Sequence, residues 1–353
     1  MIAVARDRRS PQPRLADVAS IAGVSMKTVS NVINGYAHVA EGTKERVLAA
    51  VETVGYRPNL SARNLARGRS GVIALVVPRL EMPYFAGLAG QLIEQAEARG
   101  WFVLIHETGW DRMAERAAIE GQFPQRIDGL IVSAQQLERA DLDQRTATTP
   151  LVLLGERSFG DAVHHVAIDN TAAARTAVEH LIERGCRRIA MVGASDAAAD
   201  DPRRRGYLEA LEAAGLELQP DLMLPIRANS GEEGERVVRE LLESDVALPD
   251  GVFAVTDWVA LGAMRALHLH GLRVPDDAAV VGFDDIPYAR AVTPSLTTIA
   301  PDRAALAEVA LRMLETQLNP AGGLAEPVHQ TVPFELVVRE STTSFGPPQS
   351  RAH

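Results

Sequence analysis

The sequence predicts an all-α front module followed by an α/β body of two doubly wound lobes. Near the start, residues 15–35 read LADVASIAGVSMKTVSNVING, two helical patterns separated by a Gly-Val-Ser break. From Val72 onward, short apolar runs alternate with longer helical patterns, and the alternation comes as two successive series. Charge divides at the same place. Residues 1–70 hold 11 Lys+Arg against 5 Asp+Glu, a net of +6, while the rest holds 25 against 41, a net of −16. A chain of 353 residues has room for two or three such domains.

The first helix is expected over Leu15–Ile21, with Leu15, Val18, Ala19 and Ala22 at helical spacing and Asp17 facing the positive helix end. Gly23 supplies a tight turn, and Ser25 is a natural N-cap for a second helix from Met26 to about Ile33. Val29, Val32 and Ile33 point inward there, and Gly35 ends the helix. A third helix is expected from about Glu41 to Val54, with Val47, Leu48, Val51 and Val54 as its apolar stripe. This is a helix-turn-helix, in which the second helix enters the major groove of DNA. Met26, Lys27 and Asn31 are the base-reading candidates: Lys27 can donate to guanine, Asn31 can pair with adenine, and Met26 can touch a thymine methyl. Ser25, Thr28, Ser30 and Asn34 are short enough to reach phosphates. Any surface helix carries Lys, Asn and Ser; the 21-residue arrangement in a basic context is what points to DNA.

Tyr56–Gly71, YRPNLSARNLARGRSG, carries Arg57, Arg63, Arg67 and Arg69 and no acidic residue. Pro58 breaks from the third helix, and Asn59 can cap a short helix through Ala62 and Leu65. Alone, that helix is too short and polar to be stable. In a minor groove, Arg57, Asn59 and Arg63 would meet the backbone and Leu65 could wedge between base steps.

In the body, strands are expected at 71–78, 101–107, 127–134 and 150–156, with helices at Phe85–Gly100 and about Met113–Phe123. A second run starts at Asp169. Its helices are Thr171–Gly185, Arg203–Gly215, Gly231–Leu242 and Trp258–Gly271, and its strands are 187–195, 251–256 and 278–284. Helix Arg303–Gln317 and strands near 328–338 close the series. The strands are almost wholly apolar, as in a parallel sheet covered on both faces. Ligands of such folds sit at the strand C-terminal ends. The candidates there are Met82, Pro83, Tyr84, Phe85, Trp110, Ser133, Arg157, Asp169, Arg203, Asp257, Trp258 and Asp284. Carboxylates and a guanidinium beside aromatic rings suit a polyhydroxylated small molecule such as a sugar.

Several classes are set aside. Cys186 is the one cysteine, so no internal disulfide forms, which fits a reducing compartment. The opening MIAVARDRRSPQPR has no secretory apolar run, and no stretch of 18 uncharged apolar residues suggests a membrane span. A cytoplasmic, nucleoid-associated protein without membrane contact is expected. A transport solute-binding protein would carry a signal peptide and no basic front module. No CxxC, HExxH, GxSxG or glycine-rich phosphate loop points to catalysis, metal or cofactor. Asp257 and Asp284 could form a catalytic carboxylate pair, but serve a binding cleft equally well as acceptors.

The sequence resembles the lactose-repressor/purine-repressor family of bacterial transcription regulators from Leu15 to about Ser341. The resemblance is carried by DVASIAGVSMKTVSNVING, YRPNLSARNLARG, VAIDN (166–170), RRRGY (203–207), TDWVALGAMRAL (256–267), GLRVPDDAAVVGFDD (271–285) and PSLTTI (294–299). It implies a periplasmic-binding-protein-like type I core and a dimer on a pseudo-palindromic operator, with hinge helices opening the central minor groove. It also implies control by a small effector. Release of a repressor by a sugar is the first expectation; a ligand-dependent activator, or a repressor requiring a nucleoside or other polar metabolite as corepressor, is the alternative.

By the same resemblance, Met26, Lys27 and Asn31 read bases and Leu65 is the wedge. Arg203 and Asp284 match effector-holding positions, and Tyr84, Phe85, Asp257 and Trp258 match pocket positions that vary with ligand. The expected divisions are a tail over 1–13, a headpiece over 14–57, a hinge over 58–70, a core over 71–341 and a tail over 342–353. Within the core, the first lobe spans about 71–167 and 300–332, and the second about 168–299 and 333–341. The crossing strands would lie near 167, 300 and 333.

The chain departs from the family pattern in places. Asn31 stands where Arg is common, and Met82 where Asn is common. Arg14 and Ala40 replace hydroxyl caps, each a loss of roughly 0.5–2 kcal/mol unless another group substitutes. Gly42 weakens the third helix. The final TTSFGPPQSRAH has no leucine heptads, so a dimer is expected rather than a coiled-coil tetramer.

Overall fold

The computed structural model describes residues 13–33, 39–56, 69–157, 159–193, 201–319 and 326–343. The chain divides into two compact units, Met1–Ser70 and Gly71–His353.

Among the described residues of the front unit there are three helices: α1 (Leu15–Ala22), α2 (Met26–Ile33) and α3 (Glu41–Val54). Val18, Ala19, Ala22, Val29, Val32, Val47 and Ala50 form its core. Gly23 takes a left-handed φ of 65°, which turns the chain sharply after α1, and Val24 N–H returns to the Ala19 carbonyl at 3.1 Å. The Ser25 hydroxyl then accepts from Thr28 N–H at 3.1 Å and caps α2. Arg14 gives no side-chain cap, but Asp17 reaches back to accept from Arg14 N–H at 2.7 Å, so one end of a capping box survives. Ala40 has no side-chain cap bond. One expectation is corrected: Leu48 is 48% exposed, and Ala50 takes the inward place beside Val47. Two eight-residue helices cover only a narrow face of α3, and Leu48 lies about 100° round from Val47.

The body opens with β1 (Val72–Val77), α4 (Pro83–Ala98), β2 (Phe102–Glu107), α5 (Arg112–Ile119), β3 (Gly129–Ser133), α6 (Arg139–Asp143), β4 (Leu151–Leu154) and β5 (His164–Ile168). A second series runs α7 (Asn170–Glu183), β6 (Ile189–Val192), α8 (Pro202–Ala213), β7 (Met223–Leu224), α9 (Gly231–Leu242), β8 (Gly251–Ala254), α10 (Asp257–Leu269), β9 (Ala279–Phe283) and β10 (Thr297–Pro301). Last come α11 (Arg303–Leu318), β11 (His329–Val332) and β12 (Phe334–Val337). Two six-stranded sheets result, in the orders β11-β5-β4-β3-β1-β2 and β12-β10-β9-β8-β6-β7. Among the described residues every pairing is parallel except that of β12 with β10. The short α6 and the two-residue β7 had no counterpart in the apolar pattern.

The central strands β3, β4, β5, β6, β8 and β9 are buried along their whole length, which explains why they are mostly apolar; β5, which opens with His164 and His165, is the exception. The second-lobe helices pack in pairs through glycine. A Cβ on Gly206 of α8 would stand 2.1 Å from the Thr171 carbonyl of α7, and one on Gly262 of α10 would stand 1.9 Å from the Gly231 carbonyl of α9.

The chain passes between the sheets three times, from β5 to α7, from β10 to α11 and from β11 to β12. Helix α11 packs on α4 and on strands β3, β4 and β5, so it belongs with the first lobe. Each passage is a single residue: Asp169, Asp302 and Pro333. The two aspartates are also N-caps, accepting from Ala172 N–H and Ala305 N–H at 2.9 Å. Asp302 N–H donates to the Pro333 carbonyl at 3.1 Å, which ties two passages together. Short parallel connections of this kind let two rigid lobes rotate while keeping their mutual register.

Candidate ligand cleft and nucleic-acid interface

Both sheets end their strands at one cavity. From the first lobe come Met82, Tyr84 and Phe85 at the start of α4, Trp110 after β2, Ser133 at the end of β3, then Gln135 and Glu156. The second lobe supplies Asn170, Arg203, Asn229, Thr256, Phe283 and Asp284.

Arg203 is the centre of this arrangement. It sits on the first turn of α8, where Asp201 accepts from Arg203 N–H at 2.9 Å and Arg204 N–H at 3.2 Å. Its guanidinium lies over the Phe283 ring, 3.9 Å from the centroid. Nε stands 3.1 Å from Glu156 Oε2 and donates to Asn170 Oδ1 at 3.3 Å, while Nη1 donates to the Val255 carbonyl. Burial works against this cation, yet Glu156, Asp284 and Asp201 outweigh it and hold the guanidinium above its ordinary range. The Glu156–Arg203 pair joins first lobe to second.

Asp284 follows β9 directly with φ 113° and Asp285 comes next with φ 48°, both in the region that favours glycine. The turn is held from outside. Arg303 donates from Nη1 to the Asp284 carbonyl at 3.0 Å and from Nη2 to the Asp285 carbonyl at 3.2 Å, and Arg339 Nη2 donates to Asp285 Oδ1 at 2.6 Å. Asp284 as a whole is 7% exposed. Burial pushes its carboxyl up to about 7, with Arg203 pulling down and Glu156 pushing up. Burial, with the Asp284 charge behind it, also raises the Tyr84 phenol well above its ordinary value. Tyr84 and Phe85 meet edge to face at 5.2 Å.

Tyr84, Phe85, Arg203 and Asp284 therefore meet at one cavity, together with Met82, Trp110 and Ser133 from the wider candidate set. Asp257 and Trp258 do not line it. Asp257 is fully buried, accepting from Ile286 N–H at 2.8 Å and from the Thr298 hydroxyl at 2.6 Å, beside Gly282. Burial and the nearby Asp284 raise its carboxyl well above the ordinary value. It fastens α10 to β9 and β10. Trp258 packs against the second-lobe core and the Tyr288 ring at 5.9 Å. The helix boundary is the reason: Thr256, the N-cap, faces the cavity, and the next residue already turns into the lobe. Arg157 instead donates to the Gln135 carbonyl, Asp169 caps α7, and Pro83 is the first residue of α4.

Sequence reasoning missed Gln135, Glu156, Asn170, Asn229, Thr256 and Phe283. Glu156 and Thr256 follow strands closely, so position alone could have nominated them. Asn229 had no such signal; its Oδ1 is 2.6 Å from Thr256 Oγ1, a contact across 27 residues.

On the front unit, Met26 is 55% exposed and Lys27 and Ser25 are exposed beside it. Thr28, Ser30 and Asn31 are half-buried on the same helix, whose Val29 and Val32 face the core. Asn34, Arg57, Asn59, Arg63 and Leu65 lie outside the described residues.

The lacI family profile of bacterial regulatory proteins matches residues 14–59, and a periplasmic binding protein-like domain matches residues 178–342. The ribose operon repressor of Halalkalibacterium halodurans is 34% identical over 332 residues, covering 93% of this chain and 96% of its own. The chain belongs to the LacI family. It is a ligand-responsive, DNA-binding transcription regulator. Among solved LacI-family structures, that of the transcriptional regulator CelR–cellobiose complex is 32% identical with a TM-score of 0.67, covering 93% of this chain and 99% of that one. The lac repressor dimer bound to operator and the anti-inducer ONPF is 28% identical with a TM-score of 0.76, covering 95% and 100%. Among the described residues of this LacI-family regulator, no helix is long and apolar enough to cross a membrane, and no three His, Cys, Asp or Glu side chains are grouped to hold a metal ion.

Proposed function

We propose that this regulator binds a pseudo-palindromic operator as a homodimer, represses transcription from it, and is released by a small sugar-like effector. The cleft carries the reading. Aromatic Tyr84, Phe85, Trp110 and Phe283 surround Arg203, Asp284, Asn229 and Thr256, so apolar ring faces and hydroxyl partners converge as a polyhydroxylated ring requires. A repressor of a ribose operon and a regulator solved with cellobiose among its relatives favour the same ligand class. The lac repressor dimer on its operator supports the dimer and the symmetric site. A protein that acts on genomic DNA works in the cytoplasm, at the nucleoid.

Exposed Met26 and Lys27, with Asn31, read base edges, and Ser25, Thr28, Ser30 and Asn34 hold phosphates. Arg57, Asn59 and Arg63 extend the backbone contacts into the minor groove, where Leu65 wedges. An effector bridges Tyr84, Phe85 and Trp110 on one lobe to Arg203 and Asp284 on the other, and so biases rotation about Asp169, Asp302 and Pro333. The rotation changes the spacing of the paired front modules in the dimer. A 100-fold change in operator affinity needs only about 2.7 kcal/mol of coupling.

Fluorescence-anisotropy titration of short duplexes tests the DNA half. The protein is expected to prefer one symmetric site over random duplex by about 1,000-fold or more at physiological salt. Lys27→Ala is expected to lose about 1–3 kcal/mol on that site and much less on random duplex. Equal loss on both would remove Lys27 from base reading, and no preferred site would remove the repressor reading.

A further inference from the structure

The charges around the cleft carry information about the ligand that its rings and hydroxyl partners do not. Glu156, Arg203 and Asp284 are the charged residues of the described lining: two carboxylates and one cation. That cation already has partners. Arg203 is bound to Glu156, Asn170 and the Val255 carbonyl, with its face on Phe283. Arg303 lies close behind, but its guanidinium is taken by the carbonyls of Asp284 and Asp285.

Helix N-termini are the other common holder of anions, and those around this cleft are already satisfied from within. Asp169 caps α7, Asp201 caps α8, Ser230 caps α9, Thr256 caps α10 and Asp302 caps α11. Three of these caps are carboxylates, which place negative charge where a phosphate would go. Helix α4 has no side-chain cap, but Pro83 removes one donor and Phe85 N–H returns to the Met82 carbonyl at 3.0 Å. What is left suits hydroxyl groups, not a phosphate or a carboxylate.

We propose that the cleft excludes anionic ligands, with Glu156 as a specificity-determining residue, so that the effector is an uncharged or amine-bearing sugar and not a sugar phosphate or sugar acid. The proposal rests on the sugar reading above and narrows it. Glu156 acts in two ways. It pairs with Arg203 at Nε, one of the donors an anion would use, and it sets a second carboxylate beside Asp284. Its side chain is 37% exposed at the cleft wall, so it meets an incoming ligand directly. Like charges brought together in a partly desolvated site oppose binding strongly.

The test is calorimetric titration of the full-length protein with matched sugars: ribose and ribose 5-phosphate, glucose and glucose 6-phosphate, glucosamine and glucuronate, cellobiose alone, and inorganic phosphate alone. Binding is expected among the uncharged or amine-bearing members, with the anionic counterpart of any binder weaker by about 100-fold or more. Glu156→Gln keeps the shape of the side chain and removes its charge, and is expected to narrow that ratio by about tenfold. The charge reading is overturned by an anionic sugar that binds as tightly as its uncharged counterpart, by inorganic phosphate binding in the millimolar range or tighter, or by an unchanged ratio in Glu156→Gln. Failure of the sugar reading looks different, since no sugar in any charge state would then bind, and the narrower proposal would fall with it.

Discussion

Arg203→Lys is expected to weaken effector binding by at least about 100-fold while leaving operator binding in the absence of effector within a few-fold of the parent. The guanidinium donates from Nε to Asn170, with Glu156 paired to it at the same nitrogen, and from Nη1 to the Val255 carbonyl, and its carbon lies 3.9 Å from the centroid of the Phe283 ring. An ammonium on a flexible stem cannot reproduce that fork or the stacked face. It leaves at least one acceptor of the buried set short of a donor, a loss of about 1–3 kcal/mol for each unsatisfied group. The first-lobe partner Glu156 would also lose its bridge to the second lobe. Arg203→Ala is the blunter change; it leaves the buried Asp284 without its nearby cation and is expected to lower stability by about 1–3 kcal/mol. Lysine keeps the charge and separates the two effects. Calorimetry with a bound sugar and anisotropy with operator read them independently. Effector affinity within threefold of the parent in Arg203→Lys would remove this residue from the binding centre.

Asp284→Asn is expected to make the protein more stable at pH 8 and poorer at holding effector. The carboxyl is raised from 3.8 to about 7 in the folded protein by burial first. Below about pH 4 both folded and unfolded chains hold the proton, so the group contributes no difference. Between about pH 4 and 7 the unfolded chain ionises freely while the folded site resists, so ionisation favours unfolding and stability falls as pH rises. Above about pH 7 the deficit is complete, of order 4 kcal/mol at most. Asparagine has no such proton, and it tolerates the positive φ of 113° better than other residues of its size. The variant is therefore expected to match the parent near pH 4 and to gain on it progressively toward pH 8, less the hydrogen bonding that the amide loses. Denaturant melts of parent and variant across that range give the difference directly. A difference constant with pH would mean that Asp284 titrates as an exposed carboxylate. A strained, desolvated acid that lowers stability and serves the ligand is a familiar compromise at functional sites.

How much of this was readable beforehand depended on the range of the interaction. The front module was legible because Ser25, Gly23 and the inward Val29 and Val32 act within one or two helical turns. Where the stripe had to be matched to a partner surface, as at Leu48 and Ala50, periodicity could not say which of two adjacent apolar positions would be covered. The apolar strands announced two buried parallel sheets, while β7, two residues long at a sheet edge, buries too little to leave a pattern.

In the cleft, Tyr84, Phe85 and Arg203, which open helices following strands, line the cavity as their place in the alternation suggested. Asp257 was assigned to the ligand because an acid after a strand reads alike whether it faces a cavity or a backbone N–H. The bond to Ile286 N–H and the closeness of Gly282 decide it, and both lie far along the chain. The position of Glu156 just past a strand could have nominated it for the cleft, but not its pairing with Arg203, which comes 47 residues later on the opposite lobe.

The claim beneath all of this is a thermodynamic link between the cleft of Arg203 and Asp284 and the DNA-reading face of Met26 and Lys27. Linkage requires that effector change operator affinity by the same factor as operator changes effector affinity. Both should therefore be measured on one preparation, operator affinity with and without saturating sugar and sugar affinity with and without saturating operator. The account predicts equal factors of about 10-fold or more, with sugar and operator opposing each other. Operator affinity that does not move while a sugar fills the cleft would contradict it.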